Sequence, residues 1–220
     1  MSKLNDIGLK HNTDKSSTIH DYLKKYEKYF PYKREDKLKI LEIGILGGSS
    51  LKTWKEYFFN SDVIGIDINQ DCKKYQEERI FVEIGDQTDE SFLKNVSEKY
   101  GPFDLIIDDG SHINEHVIVS FKFLFNYLKP NGLYVVEDAC TSYWWDYNGG
   151  LKKETSSIEF FKNVIDEVNF GGELVENFIS VHARRDDLLI NQFKRKGYEN
   201  FGMYIESINF LNGIILITKR

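Results

Sequence analysis

Cysteine, proline and methionine are scarce in this 220-residue chain, which holds two, three and two of them. Cys72 and Cys140 stand far apart with no CxxC pair, which argues against a disulfide framework or a structural zinc site built on paired thiolates. No apolar run approaches the ~20 residues that cross a bilayer, so no membrane partner is expected. The opening stretch MSKLNDIGLKHNTDKSS lacks the apolar core of a secretory signal, which predicts a cytoplasmic protein. Long basic runs are missing too. A formal net charge of −6 argues against nucleic acid as the main partner. Internal repeats and low-complexity segments are absent.

Aromatic residues are abundant. Sixteen Phe and 13 Tyr, within an apolar fraction of 41%, suffice for the core of one α/β domain. Along the chain, TIHDYLKKYEKYF (18–30) has helical spacing, with Ser or Thr at 16–18 as a cap. Strands are predicted at 37–45, 61–69, 79–87, 103–110 and 133–139, and helices at 50–58, 90–101, 114–128 and 156–170, with PNG (130–132) as a turn. Strands that are continuous apolar runs and alternate with helices predict a parallel sheet covered on both faces. Residues 176–183 read as a strand or an irregular segment. The tail YIESINFLNGIILITK (204–219) has two strand-like runs around Asn212–Gly213, a hairpin signal, so an antiparallel strand is expected to join the sheet late.

LEIGILGGSS leaves the first strand and opens a helix, where glycines let backbone approach a ligand beyond the strand ends. Asp67 ends the next strand 19 residues after Gly48, the place of an acid that accepts hydrogen bonds from ribose hydroxyls. Leu46 breaks the GxGxxG pattern, which disfavours a dinucleotide enzyme. After the third strand, Asp86 and Gln87 are candidates to read an adenine base; alternatively Asp86 or Asp89 caps the following helix.

The densest chemistry lies in DLIIDDGSHINEH (104–116) and VVEDA (135–139). Consecutive strands are commonly neighbours. Asp108 and Asp109 would then face Glu137 and Asp138, and four such acids repel unless a cation sits among them. Oxygen donors suit Mg²⁺, Mn²⁺ or Ca²⁺. His112 is a candidate general base. Zinc held by His112 and His116 is the rival reading, and capping acids with solvated histidines the plainest one. The aromatic loop holds Tyr143, Trp144, Trp145 and Tyr147, whose flat rings suit stacking on a sugar or packing at a contact. Arg184–Arg185 and Lys194, Arg195 and Lys196 form basic clusters, either a solvated face or steering for an anionic substrate.

The ordered set LEIGILGGSSLKTWKEYF, VIGIDI, GDQTDESFL, FDLIIDDGSH, SFKFLF and LKPNGLYVVEDACTSYW resembles the macrocin and mycinamicin type of sugar O-methyltransferases. NTDKSSTIHDY resembles that family's GTDK…H.Y segment, with Asn12 in place of the glycine, and SINFLNGIILITK resembles its closing strands. The resemblance spans roughly residues 10–145 plus the tail. It implies a Rossmann-like class I methyltransferase fold: a mostly parallel seven-stranded sheet with an antiparallel C-terminal strand and helices on both faces. Residues 37–220 would be the methyltransferase domain and residues 1–36 a helical segment covering the cofactor site, all in one globular unit. The family's large N-terminal auxiliary region has no match here.

The implied cofactors are S-adenosyl-L-methionine and Mg²⁺ (or Mn²⁺). Asp109, Glu137 and Asp138 match the metal ligands and His112 the catalytic base. Glu42, Gly44 and Gly48, with Ser49, match the glycine-rich motif, whose usual middle glycine is Leu46. Asp67 matches the ribose-binding acid. Thr13, Asp14 and Lys15 match a segment near the cofactor, and Asp86, Gln87 and Asp108 complete the cofactor set. Tyr143 and Trp144 are candidate acceptor contacts. The expected function is methyl transfer to a hydroxyl of a nucleotide-linked sugar or glycosylated natural product, in a chain compatible with a homo-oligomer. A non-sugar acceptor, a nicotinamide-dependent oxidoreductase and a non-catalytic binding protein are the alternatives.

Overall fold

The computed structural model describes residues 2–170 and 201–220. The readings made for 176–183, Arg184–Arg185 and Lys194–Lys196 lie outside the described residues. The described strands are β1 (Lys39–Ile43), β2 (Asp62–Asp67), β3 (Ile80–Ile84), β4 (Phe103–Asp108), β5 (Leu128–Val136), β6 (Ile205–Leu211) and β7 (Ile214–Lys219). They form one sheet in the order β3-β2-β1-β4-β5-β7-β6. β1 to β5 are parallel, and β7 runs antiparallel to both β5 and β6. This is the class I methyltransferase fold, with the antiparallel strand where the hairpin signal placed it. Gly213 takes the left-handed turn position at φ +82°.

The helices are α1 (Lys3–His11), α2 (Tyr22–Tyr29), α3 (Ser49–Tyr57), α4 (Glu90–Tyr100), α5 (Asn114–Leu124) and α6 (Ser157–Phe170). Alternate residues of each strand serve opposite faces. Ile40, Leu105, Ile107 and Val135 pack with Leu4, Leu23, Tyr26 and Trp54 of α1–α3. Leu41, Ile106, Tyr134 and Val136 pack with Leu93, Phe121 and Phe161 of α4–α6. The second core centres on Phe121, whose ring lies 5.0–5.8 Å from the rings of Phe125, Tyr134, Phe160, Phe161 and Phe201.

Three local expectations change. α1 was not legible as an element; Ser2 caps it through the Asn5 N–H, and Leu4 and Ile7 are buried beneath it. The helix expected from residue 18 begins only at Tyr22, because residues 14–20 form turns that point Lys15 inward. PNG falls inside β5, where Asn131 is left-handed and the β4–β5 register shifts. Among the described residues no helix is long and apolar enough to cross a membrane.

The hairpin tip meets the N-terminal segment. Lys25 Nζ donates to the Asn212 carbonyl (2.7 Å), and the Ala139 N–H donates to the Gly213 carbonyl (2.9 Å).

Phe121→Ala should lower unfolding free energy by about 3–5 kcal/mol, since it empties the centre of the aromatic cluster. Urea unfolding monitored by far-UV circular dichroism measures this, and a loss below about 1 kcal/mol would show that the cavity collapses.

Candidate active site

The parity that builds the two cores also sorts the acids. Glu42 follows Ile40 by two residues, Asp109 follows Ile107, and Glu137 follows Val135, so all three continue the face covered by α1–α3. Asp108 follows Ile106 and turns to the other face. β4 and β5 are neighbours with Asp108 opposite Val136, and the Glu137 N–H donates to the Asp108 carbonyl (2.9 Å). The expected juxtaposition of DDG and ED is therefore present.

A cation does sit among these acids, and it belongs to the chain. The buried Lys15 ammonium donates to Asp109 Oδ2 and, at 2.8 Å, to Glu137 Oε2; Glu42 Oε1 lies 3.5 Å away. Burial opposes its charge, but the Asp109, Glu137 and Glu42 carboxylates together hold its pKa well above the usual lysine value. Two tyrosines one helical turn apart on α2 complete the arrangement. Tyr26 donates to Glu137 Oε1 (2.5 Å) and Tyr22 to Asp138 Oδ1 (2.6 Å). Burial pushes both phenols' pKa up. In the sequence Tyr22 and Tyr26 stand only within the helical spacing of residues 18–30; the available signal is a Tyr pair at i, i+4.

Asp109, His112 and Asp138 bring one ligand atom each within 4.8 Å of one another. His112 Nε2 lies 3.9 Å from Asp109 Oδ1 and 3.7 Å from Asp138 Oδ2, and each side chain is about a fifth exposed. Thr141 Oγ1 ties the two turns together, facing the carbonyls of Asp138 (2.8 Å) and His112 (3.3 Å). His112 and Asp138 are both left-handed, at φ 58° and 47°. Such backbone in non-glycine residues costs on the order of 1 kcal/mol or more and persists where surroundings enforce it. Two partly exposed carboxylates fit a hard divalent ion that keeps several waters, with the His112 imidazole beside them. Glu137, expected in that set, spends both oxygens on Lys15 and Tyr26. His20 Nδ1 adds a second imidazole 3.9 Å from Asp138 Oδ1.

A cleft of about 460 Å³ opens beside this cluster. Its walls include Thr13, Asp14 and Lys15, the glycine loop with Gly44 and Ser49, Asp67, and Asp109, His112 and Asp138. Gly44 has φ +85°, and a Cβ there would stand 2.0 Å from the Asp109 carbonyl, so glycine is required for the loop to pass the acid turn. Gly48 begins α3 with no side-chain cap, leaving first-turn N–H groups for an anionic ligand. Asp67 Oδ2 accepts from the Ile45 and Leu46 N–H groups (2.8 and 3.3 Å), bracing the loop it was expected to serve. Leu46 is left-handed at φ 45° and exposed. Asn12 of the NTDK segment also lines this cleft, as do Asn69 and Cys72, which had no signal in the motif reading.

A smaller cleft of about 220 Å³ shares Gly44, Asp67 and Gly110 and adds Asp86, Gln87 and His116. Thr88 backbone and hydroxyl bonds hold the Asp86 carboxyl below its usual pKa, while Asp89, not Asp86, caps α4. Gln87 reaches inward: its Nε2 donates to Ser120 Oγ (2.9 Å) and Asp108 Oδ1 (3.3 Å), and its Oε1 accepts from the Ser111 N–H (2.8 Å). Glu42, Asp108 and Glu137 line neither cleft. Nor do Tyr143 and Trp144, which are about half exposed. The aromatic loop instead sends Tyr147 toward His112, ring centres 6.2 Å apart.

Comparison with known proteins gives this geometry a family. The chain is 38% identical over 175 residues to demethylmacrocin O-methyltransferase of Streptomyces fradiae, an alignment covering 75% of this chain and 44% of that protein. It is 37% identical over 175 residues to mycinamicin VI 2''-O-methyltransferase of Micromonospora griseorubida, again 75% and 44%. Among solved structures, MycE methyltransferase from the mycinamycin biosynthetic pathway in complex with Mg and SAH superposes with a TM-score of 0.82 at 30% identity, over 98% of this chain and 54% of that one. The chain belongs to the macrocin/mycinamicin-type O-methyltransferase family. No protein-family model matches it. The chain spans about half the length of the curated family members it matches. A second MycE structure of this family, with Mg, SAH and mycinamycin VI, superposes over the whole of this chain with a TM-score of 0.81 at 29% identity.

Burial raises the Glu42 carboxyl from 4.5 to about 7, against the opposing pull of the Lys15 ammonium. The folded state therefore holds this proton where the unfolded chain has released it, so this group's contribution to stability falls as pH rises from about 4.5 to about 7. Glu42→Gln should shallow the decline of the urea midpoint between pH ~5 and ~7. An unchanged slope would mean that Glu42 stays ionised throughout.

Proposed function

We propose that this protein transfers a methyl group from S-adenosylmethionine to a hydroxyl of a glycosylated small molecule or nucleotide-linked sugar, with assistance from Mg²⁺ or Mn²⁺. The observation that carries the reading is the convergence of Asp109, His112 and Asp138 in the wall of the cleft that Gly44, Ser49 and Asp67 also line. Sequence similarity to sugar O-methyltransferases supports the acceptor class.

In this reading the glycine loop, the N-terminus of α3 and Asp67 hold S-adenosylmethionine, with Asp86 and Gln87 at the far rim of the shared clefts. Asp109 and Asp138 would hold the metal, while both Glu137 oxygens are engaged by Lys15 and Tyr26. A bound divalent ion acts as a Lewis acid that lowers the pKa of a hydroxyl beside it. His112 takes the hydroxyl proton at Nε2. The acceptor oxygen bonds to the methyl carbon as the carbon–sulfur bond breaks, and the sulfonium leaves as a neutral thioether. The rigid sheet edge supplies orientation between the two reactants. Tyr143 and Trp144, about half exposed and outside both clefts, would meet an acceptor beyond the cleft rather than within it.

A panel of glycosylated natural products and nucleotide sugars, incubated with S-adenosylmethionine and Mg²⁺, should yield one product heavier by a single methyl group. EDTA should abolish this turnover and added Mg²⁺ restore it. His112→Ala should lower kcat about 10²–10⁴-fold while S-adenosylhomocysteine affinity, measured by calorimetry, is retained. Near-normal turnover would remove His112 as the base. Heat on titrating NAD⁺ with none for S-adenosylhomocysteine would favour the oxidoreductase alternative.

A further inference from the structure

Lys15 and a divalent ion make claims on the same carboxylates. The ammonium is buried and donates to Asp109 Oδ2 and to Glu137 Oε2 (2.8 Å). Glu42 Oε1 lies 3.5 Å from it and has no hydrogen-bond partner among the described residues. Tyr26 closes the remaining Glu137 oxygen at 2.5 Å. Asp109 divides its carboxylate: Oδ2 faces Lys15, and Oδ1 faces His112 Nε2 at 3.9 Å. A single carboxylate thus bridges a fixed internal cation to the position where Asp109, His112 and Asp138 converge.

The lysine is not free to swing away at will. Its carbonyl accepts from the N–H groups of Tyr22 (2.9 Å) and Leu23 (3.1 Å), which pins it to the first turn of α2. The charged groups around it come from three strands: Glu42 from β1, Asp109 after β4 and Glu137 after β5. Three carboxylates attract any cation, but two cations sharing Asp109 repel each other, and on the buried Lys15 side little solvent screens them. Their demands also differ. An ammonium offers three directed N–H donors, whereas a hard divalent ion requires a shell of oxygens.

We propose that Lys15 is a built-in counter-cation that sets the metal affinity of this site. It keeps the acids assembled before an ion arrives, holds Glu137 out of the ligand set and weakens divalent-ion binding. Lys15 is thus a positioning residue, and its role rests on the reading of this cluster as a metal site.

The test titrates full-length protein with Mn²⁺ near neutral pH and follows free Mn²⁺ by electron paramagnetic resonance. Lys15→Gln keeps two donors but loses the charge, and should bind Mn²⁺ at least tenfold more tightly than wild type, a change of about 1.4 kcal/mol. Lys15→Arg keeps the charge and should stay near wild-type affinity. Thermal unfolding gives a second readout: Lys15→Gln should melt lower without Mn²⁺ and gain more from it than wild type does. Equal or weaker Mn²⁺ binding by Lys15→Gln overturns the proposal. If that variant does not fold alone, refolding with excess Mn²⁺ should recover it, and failure to recover overturns the proposal as well. A wild type that binds no Mn²⁺ overturns the metal reading itself, and this inference with it.

Discussion

One ammonium group, buried between carboxylates from three different strands, is the interaction on which the rest of this site depends. Glu42, Asp109 and Glu137 are brought to one spot by the sheet, and nothing in the sheet relieves their repulsion. Lys15 does so, and in doing so it fixes the path of the chain from Asn12 to Asp21. That path delays α2 until Tyr22, which in turn aims Tyr22 and Tyr26 at Asp138 and Glu137. A buried ion pair of this kind is weak evidence for net stability, because desolvation offsets much of the attraction. Its effect here is geometric: it makes the N-terminal segment a wall of the cleft rather than a loose extension.

Much of the fold was legible because its signals are repetitive. Continuous apolar strands separated by helices announce a parallel sheet, and Asn212–Gly213 announces the hairpin that inserts β7. The adjacency of β4 and β5, and with it the meeting of Asp109 with Glu137, followed from consecutive strands pairing. The illegible parts are those that tertiary contacts decide. TIHDYL has helical spacing from residue 18, yet its first residues unwind to carry Lys15 inward. The acids were seen to need a cation, but an ion was the natural candidate, since the lysine that supplies the charge stands 94 residues from Asp109.

The site residues fall into two populations that strand parity separates. On one face, Asp109, Glu137 and Glu42 engage Lys15. On the other, Asp108 meets Gln87, and Gln87 in turn holds Ser120 and the Ser111 N–H, fixing the turn that presents Asp109 and His112. Counting Asp108 and Asp109 as neighbours in sequence hides this division; counting them in steps of two exposes it. Burial gives Asp108 the company of its face and pushes its carboxyl up to about 7.

The hairpin tip has a consequence for the order in which this molecule takes shape. Lys25 Nζ reaches the Asn212 carbonyl across 187 residues of sequence, and Ala139, just past the acid pair, is fastened to Gly213. Contacts between such distant partners carry the largest loop-closure entropy and reward it last. Strand pairs joined by short crossovers can form without them. Because the same α2 carries Tyr22 and Tyr26 to Asp138 and Glu137, loop-closure entropy predicts that this wall of the acid cluster sets late in folding.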